Sequence, residues 1–314
     1  MSRLVIGSRA ELIAALRKQR PTPERAERVR ALREELFLDA VFLVAQFPGG
    51  QIAEAEKCCY AFDVRLCAGL CRAAWAEEAF WSGLVRVSHP GPDKVTRLMY
   101  AAAIGDAARV SWLLARGAPR EARDVIGCTA LYYAADSGQV DAIRALLAAG
   151  AKIDAAADDG AAPLYIAAQE GQLDAMRVLL AAGANVDAAI DGAATPLCIA
   201  AQNGHTKVVR ALLAAGAYVD AAAHNGVTPL YAAARDGHTK VVRALLAAGA
   251  NVEAACNTGY RPLHAASDHG HVAAAMLLLD AGAAVSALTN AGRSPLSFAT
   301  TPAMRALLAT RGGV

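Results

Sequence analysis

The sequence has few aromatic residues, almost no net charge and no long apolar run. Phe, Trp and Tyr make up 5% of its 314 residues although 55% are hydrophobic, because alanine supplies much of that fraction. Such small side chains suit a thin stack of elements better than a thick core. No apolar run reaches the roughly 18 residues of a transmembrane helix, so we predict no membrane insertion. The opening residues, MSRLVIGSRAEL, hold too short an apolar stretch for a secretory signal.

The charge distribution and the cysteine content exclude further classes of function. The formal net charge is +2, and the acidic and basic residues are mixed throughout, so no stripe for nucleic acid is predicted. The seven cysteines form an odd number in a chain without a secretory signal. We therefore expect free thiols and an intracellular location, in the cytoplasm with the nucleus as the alternative. The motifs GxGxxG, GxxxxGK(S/T) and GxSxG do not occur, so we predict no catalysis and no cofactor.

The chain instead contains an internal repeat. GHTKVVRALLAAGA occurs at Gly204–Ala217 and again, unchanged, at Gly237–Ala250, 33 residues later. A fixed period of this size is typical of stacked-repeat proteins. Segments related to TPLxxAA recur at the same interval, beginning at Thr96, Thr129, Ala162, Thr195, Thr228, Arg261 and Ser294. The sequence therefore holds seven units.

Each unit encodes two short helices. In one of them, Thr228 is a good N-cap and Pro229 suits the first helical position. Gly237 ends this helix, a second helix is predicted at about Thr239–Ala247, and Gly249 supplies a left-handed stop. Helices this short are marginal alone. Each unit must therefore bury its apolar side against the next, which predicts an all-α solenoid.

This pattern resembles the ankyrin-repeat family. The resemblance rests on the 33-residue period, TPLxxAA, the mid-unit GH at Gly204, Gly237 and Gly270, and the closing LLxxGA, and it covers residues 96–314. It implies about seven helix-turn-helix units in a domain at 94–314 that binds another protein without catalysis. The family usually has His two residues after the Pro, and here only His264 keeps it. The last unit is four residues short, with exposed polar residues such as Arg305 and Arg311 expected on a terminal cap.

The positions that vary between units mark the expected contact surface. They flank the turn glycine and precede the mid-unit glycine, and the family's geometry implies that they line the concave face. We expect a protein partner to contact this face of a monomer. The predicted contact residues are Asp158, Asp159, Gln169, Glu170, Asp191, Gln202, Asn203, His224, Asn225, Arg235, Asp236, Asn257, Tyr260, Asp268 and His269.

Residues 1–91 do not follow the 33-residue repeat, and their pattern predicts a helical N-terminal region. One interpretation is a cap for the stack, with Trp112 packing near Trp75 or Trp81. The other is that Leu32–Phe47 and Leu66–Leu84 resemble an F-box. That resemblance implies binding to a ubiquitin-ligase adaptor, with the repeats selecting the substrate.

Possible metal and catalytic groups do not form convincing sites. Cys58, Cys59, Cys67 and Cys71 lack the short spacing of a zinc knuckle, and His264, His269 and His271 fit scaffold or variable positions. Asp154, Asp187 and Asp220 recur at the unit period, which places them in equivalent loops rather than in one pocket. We predict no metal site.

Overall fold

A computed structural model describes residues 95–312. This part of the chain is helical, with thirteen α-helices and one 3-10 helix. The α-helices are α1 Arg97–Ile104, α2 Ala107–Ala115, α3 Ala130–Asp136, α4 Val140–Ala148, α5 Pro163–Gln169, α6 Leu173–Ala181, α7 Pro196–Gln202, α8 Thr206–Ala214, α9 Pro229–Arg235, α10 Thr239–Ala247, α11 Pro262–Asp268, α12 Val272–Asp280 and α13 Pro302–Gly312. The 3-10 helix, Pro295–Phe298, stands between α12 and α13.

The helices form two parallel rows. The first helices of the units, α1, α3, α5, α7, α9 and α11, pack each on the next, and the second helices, α2, α4, α6, α8, α10 and α12, do the same. The 3-10 helix packs on α11, and α13 packs on α12. The all-α solenoid is therefore confirmed for residues 95–312. The predicted N-terminal region, residues 1–91, lies outside the described residues, as do the expected partners of Trp112.

Local signals in the sequence determine where the first helices begin. The hydroxyl of Thr228 accepts a hydrogen bond from the Tyr231 N–H at 3.2 Å, and Thr195 accepts one from Cys198 at 3.3 Å. Pro229 follows Thr228 at the first helical position, as Pro196 follows Thr195. These caps satisfy backbone donors that a short helix otherwise exposes. The predicted second helix at Thr239–Ala247 is confirmed to the residue.

Alanine is the residue through which the first helices meet. Ala167, Ala200 and Ala233 occupy equivalent positions in successive units and are fully buried. In the second-helix row, Leu212 and Leu245 are also fully buried at equivalent positions. The small side chains let the first helices approach closely while the leucines fill the space between the rows. This arrangement is the thin core that the composition predicts.

Hydrogen bonds from side chain to backbone join each unit to the next along the loops that follow the second helices. The Asp154 carboxylate accepts a hydrogen bond from the Asn185 N–H at 3.2 Å. In the same way, Asp187 accepts from the Tyr218 N–H at 3.2 Å and Asp220 accepts from the Asn251 N–H at 3.0 Å. Glu253 continues this series with the Ala284 N–H at 2.8 Å. The recurring carboxylates therefore lie in equivalent loops, as predicted, and each one connects two units.

One loop departs from the pattern of the others at its turn. Gly226 has a φ of +79°, a left-handed conformation that glycine adopts freely. The equivalent residue one unit earlier is Ala193, whose φ is +60°, and it is the only non-glycine residue with positive φ among residues 95–312. An L-residue in this region is strained by about 1–2 kcal/mol. The unit that contains Ala193 therefore stores strain that its neighbours lack.

The last unit is a shortened cap. A 3-10 helix replaces the first α-helix, while Met304 and Leu308 of α13 remain buried against the stack. Arg305 and Arg311 are exposed, as expected, and the Arg311 guanidinium forms an ion pair with the Asp280 carboxylate at 2.7 Å. The outer side of this unit therefore faces water, while its inner side closes the core.

The helices of residues 95–312 are all too short or too polar to cross a bilayer.

We predict that Ala193→Gly stabilises the protein. Glycine relieves the left-handed strain but makes the unfolded chain more flexible, so the net gain is about 0.5–1 kcal/mol. Urea unfolding followed by circular dichroism measures the shift in midpoint. Gly226→Ala is the matched reverse change, and its new Cβ would lie 2.7 Å from Asn257 Oδ1. A lower midpoint for Ala193→Gly would contradict the strain at this turn.

We predict that Asp220→Ala destabilises the protein by about 1 kcal/mol, because the Asn251 N–H loses its charged acceptor at a partly exposed site. Thermal unfolding of the full chain gives the difference. Asp191→Ala is the control, since no hydrogen bond to its carboxylate is present within residues 95–312. Equal melting temperatures for the two variants would show that these carboxylates do not connect the units.

Candidate functional site

Six five-residue loops, here called fingers, lie beside the first-helix row. They comprise residues 124–128, 157–161, 190–194, 223–227, 256–260 and 289–293. In each finger the first residue donates its N–H to the carbonyl of the fifth, as Ala157 does to Ala161 at 2.9 Å and Cys256 to Tyr260 at 2.8 Å. Each finger is therefore a closed turn rather than a loose connection.

Neighbouring fingers are hydrogen-bonded to one another. The Asp191 N–H donates to the Asp159 carbonyl at 3.0 Å, and the Asn257 N–H donates to the Asn225 carbonyl at 3.0 Å. The Asn257 side-chain amide also donates to the His224 carbonyl at 2.9 Å. The fingers consequently form one continuous, fixed edge along the stack.

A second set of bonds holds the ends of the first helices. His205 Nε2 lies 2.9 Å from the Gln169 carbonyl, and His238 Nε2 lies 2.8 Å from the Gln202 carbonyl. Because a carbonyl only accepts, each Nε2 is the donor. The ring of His238 approaches Gly204 so closely that a Cβ there would lie 2.6 Å from Nδ1. The histidine of one unit therefore packs on the mid-unit glycine of the preceding unit, where a larger residue would collide with the ring.

The fingers and the exposed ends of the first helices make up one surface, here called the finger face. The Tyr133 hydroxyl of α3 donates to the Asp124 carboxylate of the first finger at 2.6 Å, and His264 Nε2 of α11 lies 3.3 Å from the Arg293 carbonyl of the last finger, so fingers and first helices lie side by side. All fifteen predicted contact residues lie at these positions. Ten are exposed: Asp158, Asp159, Glu170, Asp191, Asn203, His224, Asn225, Asn257, Asp268 and His269; five are half-buried: Gln169, Gln202, Arg235, Asp236 and Tyr260.

Several of these residues also make contacts within the stack. The Asn203 amide donates to the Gln169 carbonyl at 2.9 Å, as the Asn257 amide does to its neighbouring finger. The Tyr260 ring lies 4.9 Å from the Phe298 ring of the last unit. Sequence reasoning missed these structural roles. The asparagine one period after Asn257, Asn290, repeats its bond at 3.0 Å and is a signal that could have indicated the role.

Acidic side chains dominate the finger face near its first units. Asp136 lies at the end of α3, and burial followed by the negative charge of Glu170 raises the pKa of its carboxyl. Asp158 and Asp159 occupy the adjoining finger, where Asp158 also pairs with Arg123 at 3.8 Å, and Asp191 occupies the next finger. Farther along, Arg235 and Asp236 neutralise each other through two bonds of 3.0 and 2.8 Å, and Arg235 lowers the pKa of Asp236. The surface therefore changes from acidic to mixed along its length.

The thiols beneath this face are not activated. Burial raises the pKa of Cys128 to about 12 and that of Cys198 to about 11. A thiol must ionise before it acts as a nucleophile or metal ligand, so both remain protonated at neutral pH. In residues 95–312, moreover, no three His, Cys, Asp or Glu side chains meet in a group that could hold a metal ion. The cysteines at 58, 59, 67 and 71 lie outside the described residues.

His264 differs from the other histidines because it is fully buried. Its Nδ1 accepts from the Arg261 N–H at 3.2 Å, and its Nε2 lies 3.1 Å from the Ala287 carbonyl in the loop that follows α12. This second hydrogen bond connects α11 to the loop that follows α12. Burial, followed by the charge of Arg261, lowers its pKa. Protonation would also displace the Arg261 N–H from Nδ1.

Comparison with known proteins connects this geometry to a family. Models described as "Ankyrin repeats (3 copies)" match residues 82–157, 98–190, 150–223 and 190–256, and a model described as "Ankyrin repeat" matches residues 258–290. Among solved structures, the human ASB11 ankyrin repeat domain is similar at 30% sequence identity, with a TM-score of 0.64. The match covers 69% of this chain and 98% of that one. No curated protein matches the sequence.

We predict that stability falls as the pH drops below about 6.5 and that His264 contributes to this loss. The unfolded chain binds a proton on this residue at a higher pH than the folded chain does, so acid favours unfolding. The contribution has a slope of at most about 1.4 kcal/mol per pH unit. Urea midpoints between pH 5 and 8, on roughly this scale of histidine titration, should vary less with pH for His264→Gln. An unchanged pH profile would contradict the assignment.

Proposed function

Because the chain belongs to the ankyrin-repeat family, we propose that it is a non-catalytic scaffold that binds a partner protein along its finger face. The observation that carries this proposal is the contrast between backbone and side chains there. The backbone of each finger is bonded to its neighbours, whereas the side chains of Asp191, His224 and Asp268 are exposed. Among residues 95–312 these three side chains make no hydrogen bond or ion pair.

A fixed backbone that carries free polar side chains favours binding. Little conformational freedom is lost when the partner docks, because the hydrogen bonds between fingers have already removed it. The side chains that vary from unit to unit then supply specificity without altering the scaffold. We propose that the finger face is the concave face implied by the family's geometry.

The charge of the finger face favours a partner with basic residues opposite the first units. Asp158, Asp159 and Glu170 are exposed there, and Asp136 lies close to Glu170. Opposite charges across an interface raise the association rate and suppress wrong partners. We propose that the chain acts in a reducing, intracellular compartment, as the odd number of cysteines indicates. We further propose that it acts as a monomer.

We predict that the combined change Asp191→Ala, His224→Ala and Asp268→Ala abolishes partner capture without lowering stability. None of the three side chains supports the stack, so the melting temperature should stay within a degree or so, as for ordinary surface substitutions. Affinity capture from a lysate with quantitative mass spectrometry identifies proteins lost with the variant, and titration with the purified candidate gives the dissociation constant.

The matched control is Asp141→Ala with Arg144→Ala, which removes an exposed ion pair of α4 in the second-helix row instead. Capture retained by the first variant and lost by the second would contradict the finger face as the binding surface.

The F-box resemblance of Leu32–Phe47 and Leu66–Leu84 supports a second proposal, a substrate-recognition subunit of a ubiquitin ligase. Those segments lie outside the described residues. The same capture, repeated with a chain that begins at residue 92, distinguishes the two proposals. A ubiquitin-ligase adaptor recovered only with the full chain would support the second, and its absence from both would support the simple scaffold.

A further inference from the structure

The second-helix row carries a cluster of positive charge at its centre. Lys207 and Arg210 lie on α8, and Lys240 and Arg243 lie on the adjacent α10. All four side chains are exposed, and none forms an ion pair with another residue in the range 95–312. This set is called the basic patch below.

The preceding units show that the scaffold does not require this arrangement. At the positions equivalent to Lys207 and Arg210, α4 has Asp141 and Arg144, which pair at 3.9 Å. The next second helix, α6, has Asp174 and Arg177, which pair at 3.4 Å. In α8 and α10 the acidic residue is replaced by lysine, so an attractive i,i+3 pair becomes a repulsive one.

The patch also has definite ends. On one side it meets the neutralised pair of α6. On the other side, α12 has Ala273 and the exposed Met276 at the equivalent positions. Among the second helices α2 to α12, a lysine and an arginine without an acidic partner therefore occur together only in α8 and α10.

Grooves with apolar floors run between the charged side chains. One, of about 310 Å³, lies between α6 and α8 and is lined by Leu173, Arg177, Lys207, Arg210 and Ala211. The next, of about 390 Å³, lies between α8 and α10, where Arg210 and Arg243 rise beside Leu213, Ala244 and Ala247. Each groove therefore combines exposed cations with apolar side chains, of which Leu173, Leu213 and Ala244 are half-buried.

We propose that the basic patch is a second binding surface, independent of the finger face, for an acidic protein segment that carries apolar side chains among its carboxylates. Carboxylates would pair with the four cations, while a leucine or aromatic side chain would enter each groove. Adjacent helices lie about 8–10 Å apart, so an extended or helical segment crossing α8 and α10 can reach both pairs of cations.

The shape of the surface favours such a segment over a bilayer or a nucleic acid. The apolar residues here lie at the base of grooves, whereas binding to a membrane surface draws on apolar side chains that enter the lipid. The floors offer no aromatic ring for a base to stack on, which is how single strands are commonly held. Carboxylates with interspersed leucines complement both the rim and the floor.

The test uses the full chain and a fluorescein-labelled peptide of repeated Glu-Glu-Leu triplets, with binding followed by fluorescence anisotropy. Lys207→Asp with Lys240→Asp copies the ion pairs of α4 and α6, so this variant should fold at least as well as the native chain. We expect it to weaken binding about tenfold or more and to reduce the salt dependence. Lys207→Gln with Lys240→Gln should give an intermediate loss.

The converse change provides a gain of function. Asp141→Lys with Asp174→Lys extends the unpaired charge over two more units, and we expect it to strengthen binding several-fold. The finger-face variant Asp191→Ala, His224→Ala and Asp268→Ala should bind the peptide as the native chain does, which separates this proposal from the previous one.

Two results would overturn the proposal. One is native-like peptide binding by the Lys→Asp variant. The other is stronger binding of phosphatidylserine vesicles or of a DNA duplex than of the peptide at the same salt concentration, which would assign the patch to a different class of ligand.

Discussion

Burial between units is the interaction on which this structure depends. A first helix of seven residues, such as α9, is too short to persist alone, and its alanines have little apolar surface to bury within one unit. Only when α7 packs on α9 across a unit boundary do alanines such as Ala200 and Ala233 leave water. The leucines of the second helices complete the same contact on the other row. Stability is therefore a property of neighbouring pairs, and each unit is folded because the next one is folded.

The hydrogen bonds between units follow from that packing. Once two units are in contact, a carboxylate such as Asp220 reaches an N–H of the next unit, and a ring such as that of His238 reaches the carbonyl of Gln202. These bonds contribute less than burial does, but they fix the rotation between units. The finger face is a consequence of this fixed geometry, since its backbone is held in place by bonds that continue from one unit to the next.

Most of the fold could be predicted from the sequence because its signals are local and repeated. The caps at Thr195 and Thr228, the prolines that follow them and the glycine stops gave helix boundaries without reference to distant residues. The strain at Ala193 was not predicted, because the glycine of that finger, Gly192, is displaced by a single residue within an otherwise regular period. A comparison of aligned units would have revealed that displacement.

The candidate site was less accessible to sequence reasoning. Variation between units selected positions on the fingers and at the ends of the first helices, and ten of the fifteen residues are exposed. Variation does not, however, distinguish a residue free to bind from one that joins two units. Asn203 and Asn257 belong to the second kind, because their amides reach carbonyls in the preceding unit. The basic patch was missed for a different reason. Mixed charge in the sequence as a whole concealed the replacement of Asp174 by Lys207 at equivalent positions on the second helices.

Asp154, Asp187 and Asp220 each accept a hydrogen bond from the next unit, and the donor N–H always lies 31 residues after the carboxylate. Adding or removing one whole unit within this series leaves the hydrogen bonds between the remaining units intact. A gene that encodes such a chain can therefore gain or lose a unit by in-frame duplication or deletion and still produce a protein that closes its core. The unchanged copy of Gly204–Ala217 at Gly237–Ala250 is what a recent event of this kind would leave behind.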